Sequence, residues 1–358
     1  NTMSSALVAE RQRAAVALKT FNDRLADIKR HRSSTDSLGR KKKPNPDQEK
    51  LAIVFAAIED VVKARKQQQL QQQGLNTAIP DTIVITPTEC FAATMTAIEA
   101  SKGQHLCELF NLLSITLPAV KREVLSAKWH MLSNTLFQMK EIAAKIELAE
   151  ASAGRPSSRL SRWLVASIAA FLKATLRGVP NQTSKQTLVR LYDLLMSSTV
   201  DPRPKVRRTA QDGLVDLIQT GQLERKLGAS QIALGHSYNF YAKVVRDSCL
   251  NLGRTTETGT TKTMILDATG MLQLLGFFGR YLPLVPVDRV LPLCKLVLQV
   301  PTLGQPALTN ASLRAMEPLL RKHGAGADSN KQISLKAQAA RTTLFGLIVR
   351  TVVQLQPD

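Results

Sequence analysis

Along most of the chain, apolar residues return every three or four positions, the period of an α-helix with one buried face. The pattern predicts a first helix over Ser4 to Lys29, with Leu7, Val8, Ala14, Val16, Leu18, Phe21, Leu25 and Ile28 set between faces dense in charge. A second runs from Asp47 to about Gln73, with Leu51, Val54, Phe55, Ile58, Val61 and Val62 on one broad face. Thr86-Pro87-Thr88-Glu89 reads as a helix start. Thr86 caps, Pro87 suits the first turn, and Glu89 completes a capping box three residues on. That helix carries Phe91, Met95 and Ile98. After Gly103 another carries Leu106, Leu109, Phe110, Leu113 and Leu117 and stops at Pro118. One longer helix is expected from Val120 to Ala151.

From Leu160 onward the rhythm is regular. Leu160, Leu164, Ile168, Leu172 and Leu176 mark one helix; Leu188, Leu191, Leu194 and Leu195 the next; Val206, Ala210, Leu214, Leu217 and Ile218 the third. Further runs cover Ser230 to Leu252, Thr261 to Tyr281, Val287 to Val300, Gln305 to His323 and Ser334 to Gln354. Breaks rich in Gly and Pro separate them at Gly228, Gly253 to Gly259, Pro283 to Pro286, Pro301 to Gly304 and Gly324 to Asp328. Helix pairs thus recur at roughly 40-residue intervals, the period of HEAT or armadillo repeats. No run sustains the period-two alternation of a strand, and Asp81 to Ile85, with no partner strand, reads as extended loop. The expected fold is all-α: a HEAT/armadillo-like superhelical solenoid of antiparallel helix pairs, with each leucine stripe packing one helix on its neighbours.

The sharpest local signal is Asp201-Pro202-Arg203-Pro204-Lys205-Val206-Arg207-Arg208. A proline lacks an N–H and clashes with the preceding helical turn, so two of them one residue apart force a corner between the helices on either side. Asp201 stands where a carboxylate can cap the second helix, and the prolines fit its first turn or the residues just before it. Asp201, Pro202, Pro204, Val206, Arg207, Ala210 and Leu214 fill a pattern that resembles the turn within a HEAT repeat.

Residues 1–30 form a candidate docking helix, 31–46 a flexible basic linker, and 47–358 the solenoid, interrupted at about 67–85 by a glutamine-rich tract that frays or loops out and by an extended connection. Hydrophobic residues make up 44% of the 358 but aromatics only 4%, so Leu, Ala, Ile and Val must do the packing, which suits stacked helices. Cys90, Cys107, Cys249 and Cys294 are widely scattered and read as reduced, buried thiols of an intracellular protein. No apolar run approaches the ~18 residues of a membrane span, and Asn1 to Glu10 lacks the pattern of a secretory signal.

Charge changes the picture most. Lys plus Arg number 48 against 28 Asp plus Glu, a net charge of +20, which favours a polyanionic partner, and nucleic acid above all. Catalytic and cofactor chemistry is absent from the pattern. His31, His105, His130, His236 and His323 have no metal-ligand spacing, and no His-Glu-x-x-His or Gly-x-Ser-x-Gly occurs. Gly259 to Thr263 resembles a phosphate loop only loosely, lacking the upstream glycine, the Gly-Lys pair and a preceding strand, and reads as an interhelical loop. Asp267 to Gly270 is expected inside a helix, and Glu141, Glu147 and Glu150, beside Lys140 and Lys145, on a solvated face. No catalytic residue, metal site, cofactor or small-molecule substrate is expected.

The RNA-contact candidates are Lys41, Lys42, Lys43, Lys121, Arg122, Arg203, Lys205 and Arg208. Lys41-Lys42-Lys43 serves equally as a nuclear import signal or as a phosphate contact. The resemblance to HEAT-repeat turns implies that Arg207 pairs with the aspartate at the position of Asp201, here or in the next repeat, leaving Arg203, Lys205 and Arg208 freer to meet phosphates. Such helix-borne cations would read RNA by backbone and shape. Trp129 and Trp163 lie in apolar helical patterns and are expected in the core, so no base-stacking platform is foreseen.

Thr88 to Ala100, Ser161 to Leu164, and above all Leu191 to Gly213 resemble the N-terminal region of the ribosomal RNA processing protein twelve family. Thr260 to Leu266, followed by Leu272, Leu275 and the Pro-rich break at 283, keeps the same order. The resemblance covers about Leu51 to His323. It implies a nucleolar and nuclear HEAT-repeat protein of small-subunit ribosome biogenesis, shuttling to the cytoplasm. Its partners would be pre-rRNA, pre-ribosomal assembly factors, ribosomal proteins and the nuclear transport machinery. Family members are several times longer, and the glutamine run and the Asn76 to Ile85 insert depart from their pattern. The rival reading is a HEAT-repeat transport receptor or adaptor that binds proteins only, a class that tends to be acidic.

Overall fold

The computed structural model describes residues 2–30, 46–72, 84–101, 103–154, 157–175, 182–223, 228–252, 265–323 and 335–354. Helix follows helix through them: α1 (Thr2–Arg30), α2 (Pro46–Gln72), α3 (Pro87–Ala100), α4 (Leu106–Thr116), α5 (Arg122–Ala127), α6 (Trp129–Ser152), α7 (Arg159–Ala174), α8 (Gln182–Ser198), α9 (Pro204–Leu223), α10 (Gly228–Leu252), α11 (Ala268–Tyr281), α12 (Val287–Val297), α13 (Pro306–His323) and α14 (Leu335–Gln354). Three short 3-10 turns join them, and no strand occurs among the described residues. The all-α expectation holds. Residues 31–45 of the basic linker, with Lys41, Lys42 and Lys43, lie outside the described residues, as do Gln73 and most of the loop after it, and Pro46 opens α2.

The chain divides into two compact units, Asn1–Leu191 with Arg208–Gly213, and Tyr192–Arg207 with Leu214–Asp358. In the first, the core lies where α4 packs on α7. Leu109, Phe110, Leu112 and Leu113 of α4 meet the stripe of Leu160, Leu164, Ile168 and Leu172, all buried. Each large side chain removed from water here contributes ~1.5–3 kcal/mol to the unit's stability. Ser167 donates to the Phe110 carbonyl at 2.8 Å, so the small hydroxyl is satisfied within the seam. The far half of α1 packs on α2, burying Phe21, Leu25 and Ile28.

Local chemistry starts these helices as expected in one place and not in another. At α3 the Glu89 N–H donates to Thr86 Oγ1 at 3.3 Å and the Thr86 N–H to Glu89 Oε2 at 2.9 Å, a complete capping box with Pro87 in the first turn. Lys66 of α2 adds an ion pair to Glu89 at 3.0 Å. The single helix expected over Val120 to Ala151 is instead two, α5 and α6, broken at Lys128 (φ −102°, ψ 11°). The break starts α6 at Trp129, which is buried with its ring 4.9 Å from Phe171. Gln67 to Gln72 do not loop out but continue α2, since glutamine is a good helix former.

Glu147 corrects the solvated-face expectation. It is buried, and its carboxylate accepts from the Ser161 N–H at 2.8 Å and the Ser161 hydroxyl at 2.5 Å. It thereby satisfies a donor in the first turn of α7 that no intrahelical carbonyl can reach. Glu108, also buried, meets Arg159 at 3.4 Å, and Arg159 reaches Asp47 at 2.9 Å.

In the second unit, helices stack two apart in sequence: α10 on α12, α12 on α14, and α11 on α13. That alternation is the packing of successive helix pairs in a repeat array. Tyr241, Phe277, Phe278 and Tyr281 form an aromatic cluster with centroids 5.0 to 6.4 Å apart. Its buried hydroxyls are satisfied: Tyr241 shares a hydrogen bond with Thr199 at 2.9 Å and Tyr281 with Ser237 at 2.8 Å. Asp267, expected mid-helix, is the N-cap of α11 and accepts from the Gly270 N–H at 2.7 Å. Helix α11 therefore begins at Ala268 rather than Thr261.

Each unit also contains the same corner. Leu117-Pro118-Ala119 and Leu282-Pro283-Leu284 are single 3-10 turns, closed by the Val120 N–H on the Leu117 carbonyl and by the Val285 N–H on the Leu282 carbonyl. Both then turn to extended backbone, at ψ 140° and ψ 137°, before the next helix. This Leu-Pro-x-Val repeat is plain in the sequence once the two corners are set side by side.

Candidate nucleic-acid interface

The corner between α8 and α9 shows how two prolines are accommodated. After Ser198 the N–H groups of Thr199, Val200 and Asp201 bond back to Met196, Ser197 and Ser198 at 3.0, 3.4 and 3.3 Å, tightening the last turn. Buried Thr199 bonds Met196 O and the Tyr241 hydroxyl, pinning the turn to α10. Pro204 opens α9, where its missing N–H costs nothing.

The ion pair falls on a different arginine from the one expected. Arg203 holds the Asp201 carboxylate bidentately, Nε to Oδ1 at 2.9 Å and Nη2 to Oδ2 at 2.8 Å, while the Arg203 N–H also donates to Oδ1 at 2.9 Å. Asp201 thus closes a side-chain turn just ahead of α9. Arg207 bonds the backbone instead: Nη1 donates to the carbonyls of Asp201 at 2.8 Å and Pro202 at 3.1 Å. The reason is reach. Two residues away, Arg203 can fold its planar fork onto the carboxylate, whereas Arg207, at the first turn of α9, sits beneath the carbonyls left over at the corner.

Lys205 and Arg208 are exposed on the first turns of α9. Lys121 and Arg122 are exposed at the start of α5, and exposed Lys128 stands at its other end. Sequence reading passed over Lys128, because the break that presents it was hidden inside an unbroken helical pattern. Trp163 also departs from expectation. Only Trp129 is in the core; Trp163 is half-buried, with the Arg162 guanidinium 4.8 Å over its ring. On α8, Arg190 lies 4.5 Å over half-buried Phe137 in the same way.

The cysteines have no reactive setting. Burial pushes the thiol of Cys107 up to about 11 and that of Cys294 up to about 12, and raises those of Cys90 and Cys249. Among the described residues no three His, Cys, Asp or Glu side chains gather as a metal site would require, and no helix is long and apolar enough to cross a membrane.

Helix pairs stacked two apart, joined by proline corners and closed by an Asp-Arg lock, define an all-α HEAT-repeat protein. More particularly, the chain belongs to the RRP12-like family: the family model for RRP12-like N-terminal HEAT repeats matches residues 46–327. It is 28% identical over 239 residues to a human RRP12-like protein, covering 65% of this chain and 16% of the relative. It is 24% identical over 271 residues to a chicken RRP12-like protein, covering 75% and 18%. The chain therefore spans less than a fifth of the length of these curated relatives, and α1 lies outside the family match.

Proposed function

We propose that this region is a non-catalytic RNA- and protein-binding scaffold in small-subunit ribosome biogenesis, acting in the nucleolus and nucleus on pre-rRNA processing, particle assembly and nuclear export. The observation that carries the reading is the excess of cations in a HEAT-repeat chain of this family, net +20, with Lys121, Arg122, Lys128, Lys205 and Arg208 exposed at helix starts and corners. Cations spaced along helix surfaces contact phosphates without reading bases, which suits a protein that must grip folded pre-rRNA by shape. Lys41, Lys42 and Lys43 add either a phosphate grip or an import signal. Asp201, Pro202, Pro204 and Arg207 hold the corner from which Lys205 and Arg208 project. Arg203, although paired with Asp201, remains about two-fifths exposed and adds positive potential.

Crosslinking in cells followed by sequencing of the bound RNA tests this directly, with small-subunit pre-rRNA as the expected product. In vitro, log affinity for single-stranded RNA should fall with log salt by about 0.7 per phosphate contact. Affinity independent of salt, or partners retained in full after nuclease treatment with no crosslinked rRNA, would favour the protein-only transport adaptor instead.

A further inference from the structure

Trp163 lies on the open side of α7 instead of in the core. It is half-buried, and among the described residues its indole N–H has no hydrogen-bond partner. Ala166 and Ala170, the next residues along that side of the helix, are part-exposed and too short to shield the ring. The Arg162 guanidinium lies 4.8 Å over the ring. No carboxylate pairs with Arg162 among the described residues, and α7 contains no Asp or Glu.

The pairing recurs in the same unit. Arg190 of α8 lies 4.5 Å over Phe137 of α6, and it too has no carboxylate partner among the described residues. Lys29, which sits over the Phe55 ring, is by contrast tied to Glu59. The two arginines are therefore held flat on aromatic rings with their charge unmatched.

A guanidinium in this setting offers a particular surface. Its N–H bonds all lie in its plane, so its two faces are weakly hydrated and stack readily. One face of Arg162 is laid on the indole, which leaves the other for a second flat group. We propose that Arg162 and Trp163 form a stacking site for an unpaired base of single-stranded RNA. The base lies on the outer guanidinium face, and its phosphate meets the N–H edge. A protein carboxylate would take the edge alone and leave that face bare. Bases inside a duplex are already stacked on one another and do not reach it. The inference rests on the RNA-binding reading above, and adds to its phosphate contacts a site that requires single strands.

Filter binding of the full chain to a short single-stranded RNA of mixed sequence, and to the duplex of the same sequence, tests this. Arg162→Lys keeps the charge and removes the plane. Its affinity for the single strand should fall by about tenfold, with the slope against salt, the duplex affinity and the thermal midpoint unchanged. Trp163→Ala should lose as much, and Trp163→Phe, which keeps a ring, much less. The lysine variant carries the test if Trp163→Ala loses stability. Single-strand affinity that Arg162→Lys leaves intact, or a loss of the same size on the duplex, would overturn this proposal while the phosphate-contact reading stands. Absence of salt-dependent affinity for either RNA in the wild-type chain would overturn that reading, and this one with it.

Discussion

Arg203 and Asp201 form a closed unit of three hydrogen bonds, two from the guanidinium and one from the backbone N–H, all between 2.8 and 2.9 Å. The corner keeps its shape because the aspartate organises the residue just before α9. The segment Asp201 to Arg208 carries four cations, Arg203, Lys205, Arg207 and Arg208, against that one carboxylate.

Asp201→Asn should therefore separate stability from RNA binding. The variant loses the charged pair and weakens the side-chain turn, costing about 1 kcal/mol, while net charge rises. Chemical denaturation should show the loss, and filter binding should show RNA affinity unchanged or higher. Arg208→Glu should do the reverse, weakening RNA binding at an unaltered thermal midpoint.

Gly213→Ala tests close helix approach within the first unit. A Cβ at 213 would sit 2.6 Å from the Ala169 Cβ, inside any real contact. Helix propensity gains about 1 kcal/mol, but overpacking of this kind costs about 1–3 kcal/mol, so the net effect is expected to be destabilising. Ala169→Gly in the same chain should recover part of the loss, as a denaturant double-mutant cycle would show.

Glu147→Ala should destabilise by about 1–3 kcal/mol, because it strips the half-buried Ser161 N–H and hydroxyl of their acceptor. Exchange of the Ser161 amide should accelerate. Glu150→Ala, exposed three residues on, serves as the control and should change neither.

Glu89 gives the chain a defined acid sensitivity. Burial acts to raise its carboxyl, but the Thr86 N–H, Lys66 and the Thr86 hydroxyl outweigh that and hold it below its ordinary 4.5. A lowered folded value means stabilisation present above the ordinary value and lost as pH falls through the depressed one. Wild-type chain should exceed Glu89→Gln in stability at pH 7, and the gap should shrink as pH falls below the ordinary 4.5 and through the depressed value. Urea melts at pH 7 and pH 3 check it.

Cys107 and Cys294 should resist alkylation in the folded chain. With the Cys107 thiol at about 11, only about one in a thousand is thiolate at pH 8. Iodoacetamide labelling followed by mass spectrometry should show both lagging far behind the denatured chain.

Much of the fold was legible because helices are locally encoded. The period of Leu160, Leu164, Ile168 and Leu172, the capping box at Thr86 and Glu89, and the double proline at 202 and 204 each act within a few residues. The breaks were less legible. Lys128 carries no Gly or Pro to announce it, and Asp267 looks like any polar residue in a helical run until its carboxylate is seen on the Gly270 N–H.

By itself, then, the sequence determined an all-α chain of paired helices, its proline corners and its cationic character, because periodicity, capping and charge are properties of neighbouring residues. The tertiary structure alone decided which arginine holds Asp201, that Glu147 serves a helix start fourteen residues away, and that Trp163 is only half-buried while Trp129 is in the core. Those outcomes depend on which polar atoms arrive within hydrogen-bond reach and which ring a neighbouring helix covers, and no spacing along the chain encodes that distance.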